Sequence, residues 1–520
     1  MQNLSIKMMV DFPFFPFYNK AIKELKGTES MKRFLALLLT VTLLCGVCLM
    51  LSHAEAKPQN EKIDTEYPFV LVRGMDFGGL LVAPGTENAV PVVGKPELKL
   101  TLKSVANALF RGLLRRDWDR FADEAIAIVD SMMGKMMLTK DGQPQFDTGV
   151  EQFTQSLAHY PAYTESLGNG VEEGLMKRAV ETYGADKVYY YNYDWRIDPY
   201  VHAERLNALI ETAKKDHNCS KVNLACCSMG GILTVSYLYK YGADSLHRVL
   251  FISSTFCGTY VTGDLLNGKV KVHGDLLYDF FITRMNPGKG AAFLLKVANK
   301  LGLFKAVAKL ANDVLVPKIK DHVYDAYMRD MFGTMPVVWA LTQPEDLDSA
   351  LTYIFAGHEE EYQTVIDLAK SYKEMNLQRD DMLRRMQKNG LEIIVTASYE
   401  LPVVPVYESG NMQGDTVLES PLMLGGATMS LLGETLPDDY QPGDSRYYSP
   451  DHEADLSTAV FPATTWALKG VPHVFTSYGT DCQDFIMWLL NEKTCPTVFT
   501  SEQYPQFMLS NFDLDLEPLK

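Results

Sequence analysis

"LACCSMGGIL", residues 224–233, decides how the rest of the chain is read. An apolar stretch runs into a serine, small residues follow, and a helical pattern begins. This is the order of a nucleophile elbow, in which a sharp strand-to-helix turn lifts the serine hydroxyl above a sheet. Gly230 and Gly231 give strand and helix room to approach after Ser228. Cys226 stands where the G-x-S-x-G pattern has its first glycine, and its side chain is small enough for the turn. Alone, the stretch leaves two readings open: a nucleophile, or a plain strand entering a helix.

The flanking segments alternate between strand and helix patterns. Tyr67–Gly74, Asp186–Tyr193, "KVNLAC", "HRVLFISS", Leu391–Ser398 and Thr464–Gly470 are short apolar or β-rich runs. Asp198–Lys215, with Pro199 near its start, "MGGILTVSYLYKYG", closed by Gly242, and "DFIMWLLNE" read as helices. Such alternation predicts a mostly parallel central sheet with helices on both faces. Residues 65–258 and 391–490 supply its two parts, and 491–520 reads as a C-terminal extension. Residues 259–390 are helical in pattern and rich in Leu, Met and Phe, as expected of a cap or lid over one end of the sheet; further core helices are the plainer reading. A second insertion, residues 99–137, is amphipathic and suits either a packed surface helix or lipid docking.

Composition narrows the class. The 520 residues are 47% hydrophobic and 22% charged, as in globular proteins. A net charge of -16 argues against a nucleic-acid partner, which asks for a basic face. Residues 31–56, "MKRFLALLLTVTLLCGVCLMLSHAEA", carry a basic start, an apolar run and an A-x-A site, the signature of a cleaved signal peptide. That predicts a secreted or extracytoplasmic protein beginning at Met31, with 1–30 an upstream artefact; an uncleaved membrane anchor is the alternative. Six cysteines follow residue 56, among which Cys482 and Cys495 are the best-placed pair, with free buried thiols the other reading. No CxxC pair or Cys/His cluster points to zinc, and neither metal nor cofactor is expected.

Downstream residues supply partners for Ser228. In this elbow architecture the acid and then the base follow the serine along the chain. Asp415, in "NMQGDTVLES", lies beyond the strand at 391–398, where an orienting carboxylate belongs. His473, in "ALKGVPHVFTS", follows the run at 464–470 and precedes the last helix. Only 10 histidines are present, and His452 in "SPDHEADLS" is the rival base. Its acidic neighbours Asp451, Glu453 and Asp455 read as a solvated loop.

Several stretches, in order, resemble the lecithin–cholesterol acyltransferase family, which includes lysosomal phospholipase A2. They are "YPFVLVRGMDFGG", "YDWRIDP" at 193–199, "VNLACCSMGG", "VLFISSTFCGT", "FGTMPVVWALTQPED", "GDTV" and "GVPH", spread over residues 65–490. The elbow departs from the family, with Cys226 and Cys227 in place of Gly and His, and Arg73 stands where proline is usual. No cysteine lies between Cys48 and Cys219, so the disulfide-closed lid of the animal enzymes is absent. The resemblance implies an α/β-hydrolase fold with a helical cap and a Ser228–Asp415–His473 triad. It implies an oxyanion hole formed by the backbone N–H groups of Met75 and Met229. Asp194, Trp195 and Arg196 would line the substrate pocket or serve structurally. The activity implied is transfer or hydrolysis of a phospholipid or other lipid acyl ester, with an alcohol acceptor for transfer and peripheral membrane contact. A plain lipase or esterase and an inactive lipid-binding homologue are the alternatives.

Overall fold

A computed structural model describes residues 66–93, 117–168, 172–285, 287–473, 480–510 and 515–520. The expected signal segment, the stretch before it and residues 99–116 of the second insertion lie outside the described residues. The chain divides into two compact units, 1–50 with 95–129, and 51–94 with 130–520. The described part of the first, 117–129, falls mostly in helix α1 (Trp118–Met133), where Trp118 meets Phe121 edge-on.

The second unit is built on an eight-stranded sheet. Its strands are β1 (Phe69–Val72), β2 (Val188–Tyr191), β3 (Val222–Cys227), β4 (Leu246–Ile252), β5 (Glu392–Tyr399), β6 (Thr465–Lys469), β7 (Phe507–Ser510) and β8 (Leu516–Pro518). They lie side by side in the order β8-β7-β6-β5-β4-β3-β1-β2. Every pairing is parallel except β7 with β8. The apolar runs behave as buried parallel strands must: β1, β2 and β3 are buried at every residue. The segment after 490, read as an extension, carries β7 and β8 and so belongs to the sheet. Half of β7 is only partly buried, and β8 is Leu-Glu-Pro, so neither presents the continuous buried apolar run that marks β1.

Alternation assigns the faces. Phe69, Leu71, Ala225, Cys227, Leu250, Ile252, Trp466 and Leu468 share one core with Leu175 and Met176 of α2 (Glu173–Tyr183) and Phe485, Ile486 and Leu489 of α13 (Thr480–Asn491). On β3, Cys226 therefore points to the opposite face, where α3 (Pro199–Asp216) and α4 (Gly230–Tyr241) pack. Helix α3 starts where its sequence dictates: Pro199 occupies the first turn and the Asp198 carboxylate accepts the N–H of Tyr200 at 2.7 Å. Gly242, at φ 75°, ends α4.

Between β4 and β5 every described element is helical. The helices are α5 (Tyr260–Leu266), α6 (Leu277–Met285), α7 (Lys289–Lys300), α8 (Leu303–Leu310), α9 (Val316–Val323), α10 (Pro336–Leu341), α11 (Pro344–Phe355) and α12 (Gln363–Lys388). Two π-helical stretches, Ala311–Leu315 and Tyr324–Gly333, flank α9.

Arg248 on β4 binds the last helix to the sheet. It is fully buried, pairs with Glu392 on β5, and donates to the carbonyls of Leu489 at 2.6 Å and Glu492 at 2.9 Å. The otherwise orphaned carbonyls at the α13 C-terminus thus have a cationic partner. Arg248→Met would leave Glu392 and both carbonyls without their donor. We expect it to lower unfolding free energy by about 3 kcal/mol in denaturant titrations. A loss below about 1 kcal/mol would mean water replaces the guanidinium there.

Candidate active site

Ser228 sits at the end of β3 with φ at 50°, a left-handed backbone rare outside glycine. The turn is held from β4: the Ser228 N–H donates to Ile252 O at 3.2 Å, and Ser228 O accepts from Thr255 N at 2.9 Å. Crowding explains the glycines. A Cβ on Gly230 would lie 2.6 Å from Arg73 O, and one on Gly74 would lie 2.7 Å from the Ser228 Cβ. Glycine is needed on the β1 loop and after the serine. Position 226 has no such need, because Cys226 projects into the α3–α4 face, with its Sγ 3.8 Å from Leu250 O.

The acid and the base meet this serine. His473 Nε2 lies 2.9 Å from Ser228 Oγ, and His473 Nδ1 lies 2.6 Å from Asp415 Oδ2. The other Asp415 oxygen accepts the N–H groups of Val417 at 3.0 Å and Leu418 at 2.9 Å. That turn places Thr416 at φ 84°. Asp415 is fully buried, yet both its oxygens are satisfied, which is what makes a buried carboxylate tolerable. With Asp415 accepting from Nδ1–H, Nε2 of a neutral ring is left as acceptor for the serine hydroxyl.

The rival base is engaged elsewhere. His452 stacks on Tyr448 with ring centroids 5.2 Å apart, at φ 62°. Its acidic neighbours are not a solvated loop. Asp451 and Glu453 each bind Lys469 Nζ at 2.7 Å, and the fully buried Asp455 accepts the Tyr440 hydroxyl at 2.8 Å. A lysine on β6 offsets two of these acids and the Tyr440 hydroxyl hydrogen-bonds the third, in what looked from sequence like an exposed charge run. Among the described residues no three His, Cys, Asp or Glu side chains group to hold a metal ion. Cys482 and Cys495 are unpaired, as are Cys219, Cys226, Cys227 and Cys257.

The loop after β1 carries Met75. Arg73 reaches Asp76 at 2.7 Å and Asn192 Oδ1 at 3.1 Å. Trp195 donates its indole N–H to Asp76 O at 3.2 Å and packs edge-on against Phe77. Asp194 and Arg196 form a buried pair, and Arg196 also donates to Met136 O at 2.9 Å and Thr148 Oγ1 at 2.8 Å. The Asp-Trp-Arg run therefore braces loops. Behind it His202 bonds Asp194 O at 2.7 Å, and burial pushes its imidazole down to about 4. The N–H groups of Met75 and Met229 find no acceptor among the described residues.

One residue escaped the sequence reading. Glu172, at φ 65° just before α2, is buried and accepts the N–H of Gly74. Its second oxygen has no hydrogen-bond partner among the described residues and lies 3.7 Å from Arg73 Nε. Burial pushes this carboxyl up to about 7, against the pull of Arg73 and the Gly74 N–H. No motif announces an acid in "GVEEG", so nothing local in the sequence marks it.

No family model and no curated protein matches the chain. Among solved structures, the crystal structure of a Tle4-Tli4 complex aligns over 64% of this chain and 75% of that chain, at 10% identity and a TM-score of 0.24. A likeness of that size carries no argument.

Glu172 gives a signed pH prediction. Its folded-state pKa of about 7 lies above the ordinary 4.5, so between these values the folded chain holds more protons than the unfolded one. Stability from this group is full below pH 4.5 and is lost as pH rises towards 7. Glu172→Gln keeps an acceptor for Gly74 and does not titrate. Paired denaturant unfolding should show the variant gaining on the wild type as pH rises through that window. A difference independent of pH would sink the assignment.

Proposed function

We propose that this chain is an α/β-hydrolase similar to the lecithin–cholesterol acyltransferase family, acting on lipid acyl esters through an acyl-enzyme on Ser228. The observation that carries the reading is the hydrogen-bond chain from Ser228 through His473 to Asp415, at 2.9 and 2.6 Å. The helical insertion between β4 and β5 fits a cap over that site. The lipid class of substrate rests on the motif resemblance, and export rests on the leader pattern at 31–56.

The roles follow from chemistry. His473 Nε2 takes the hydroxyl proton as Ser228 Oγ attacks the ester carbonyl. Asp415 fixes the tautomer and stabilises the imidazolium that forms. The N–H groups of Met75 and Met229 receive the oxyanion, each worth about 3 kcal/mol in comparable sites. Glu172 acts as a positioning residue by fixing the Gly74 peptide one step before Met75. The protonated His473 passes its proton to the leaving alcohol. A second hydroxyl, from water or a lipid alcohol, then gives its proton to His473 and its oxygen to the acyl carbon, and the bond to Ser228 Oγ breaks as His473 returns the proton to that oxygen. Hydrolysis and transfer differ only in that acceptor.

A fluorophosphonate probe should label wild-type protein at Ser228. Ser228→Ala and His473→Ala should lose turnover by about 10⁴-fold or more, and Asp415→Asn by about 10⁴-fold, with the fold intact by circular dichroism. His452→Ala should stay active. Absence of labelling at Ser228, or an inactive His452 variant beside an active His473 variant, would overturn the assignment. Incubation with a phospholipid and a long-chain alcohol separates transfer from hydrolysis: a new ester marks transfer, and free fatty acid alone marks hydrolysis.

A further inference from the structure

Helix α7 carries an apolar stripe that the fold does not use. Phe293 is 65% exposed and Leu301, just past the helix end, 80%, and Leu294 and Val297 are also exposed. Spacing of four residues places 293, 297 and 301 along one line, with Leu294 beside them. Ala298 is buried on the protein side. Lys296 and Lys300 are exposed, and at about 100° per residue they border the stripe along one edge. Neither has an ion-pair partner among the described residues. The helix, "KGAAFLLKVANK", contains no acid, although the chain's net charge is -16. The hairpin it forms with α8 is anchored from below, where the buried Phe304 packs on Tyr278 and Phe281. Phe293 and Leu301, the most exposed members of the stripe, are therefore left largely uncovered by the packing of the hairpin.

We propose that this face of α7, with Leu301 at the turn, docks the protein on an anionic phospholipid bilayer. Exposed large apolar residues at helical spacing, edged by lysines, fit the boundary between headgroups and acyl chains. Charge complementarity selects an anionic surface for this segment of an acidic protein. The docking surface extends the lipid-ester reading and does not depend on the chemistry at Ser228.

Flotation with vesicles of phosphatidylcholine, with and without phosphatidylglycerol, tests it. Wild type should bind the mixed vesicles, and Phe293→Glu with Leu301→Glu should weaken binding about tenfold or more. Lys296→Glu with Lys300→Glu should weaken binding only to vesicles containing phosphatidylglycerol. Ser228→Ala should bind like wild type, so a failed serine assignment leaves docking standing, and failed docking leaves the serine assignment standing. Because the substituted apolar residues are exposed, circular dichroism and thermal melts should match wild type. Equal binding by the Phe293/Leu301 variant, or no binding by the wild type, would overturn the proposal. So would concentration-dependent self-association that the same variant abolishes, since the stripe would then serve a second copy.

Discussion

A serine forced into left-handed backbone at the end of β3 is the constraint around which the unit is arranged. For a residue with a side chain that conformation costs on the order of 1–3 kcal/mol and persists only where its surroundings over-determine it. Here they do. The strand before it is fixed in parallel register between β1 and β4. The end of β4 takes the Ser228 N–H through Ile252, and Thr255 returns a donor to Ser228 O. Gly230 lies against the carbonyl of Arg73 with no room for a Cβ. The hydroxyl is thereby carried above the sheet edge in one orientation.

Parallel strands all end at the same edge, and that geometry brings remote sequence together. The loops after β1, β3, β5 and β6 supply the Met75 peptide, Ser228, Asp415 and His473. Two of these loops are held by polar contacts of their described residues. Trp195 and Glu172 hold the β1 loop, and two backbone N–H groups hold Asp415. Burying a carboxylate such as Glu172 is costly unless it is bonded or protonated. Its raised pKa and its contact with Gly74 are two consequences of one placement.

Much of this was legible in the chain because its signals are local. The strand and helix limits at 222–241 follow from an apolar run, small residues and a closing glycine. Asp415 and His473 could be ordered after the serine because each lies beyond a readable strand. Glu172 could not be found that way. Its significance comes from Gly74 and Arg73, about a hundred residues earlier, and nothing in its own neighbourhood encodes that meeting. The acids around His452 were misread for the same reason, since Lys469 and Tyr440, their partners, lie outside the run. Strands β7 and β8 were missed because they are only partly buried and lack the continuous apolar run that marks the equally short β1. Cys226 marks the other limit: the elbow pattern asks for glycine where the structure asks only for a side chain that fits between β3 and its helices.

Glu419 joins the Asp415 loop to the helical insertion. It is almost fully buried, four residues after Asp415, and Gly414 and Glu419 form an isolated antiparallel bridge around that turn. Its carboxylate accepts the hydroxyls of Thr259 and Tyr407, each at 2.6 Å, and the Val261 N–H at 3.1 Å. Thr259 in turn caps α5, the first helix after β4. Burial raises the Glu419 pKa, and the hydrogen bonds act against it. An apolar residue there would strand two hydroxyls and the first turn of α5 at once, each unmet buried group costing about 1–3 kcal/mol. Glu419 therefore ties the entry to the insertion to the segment that carries Asp415.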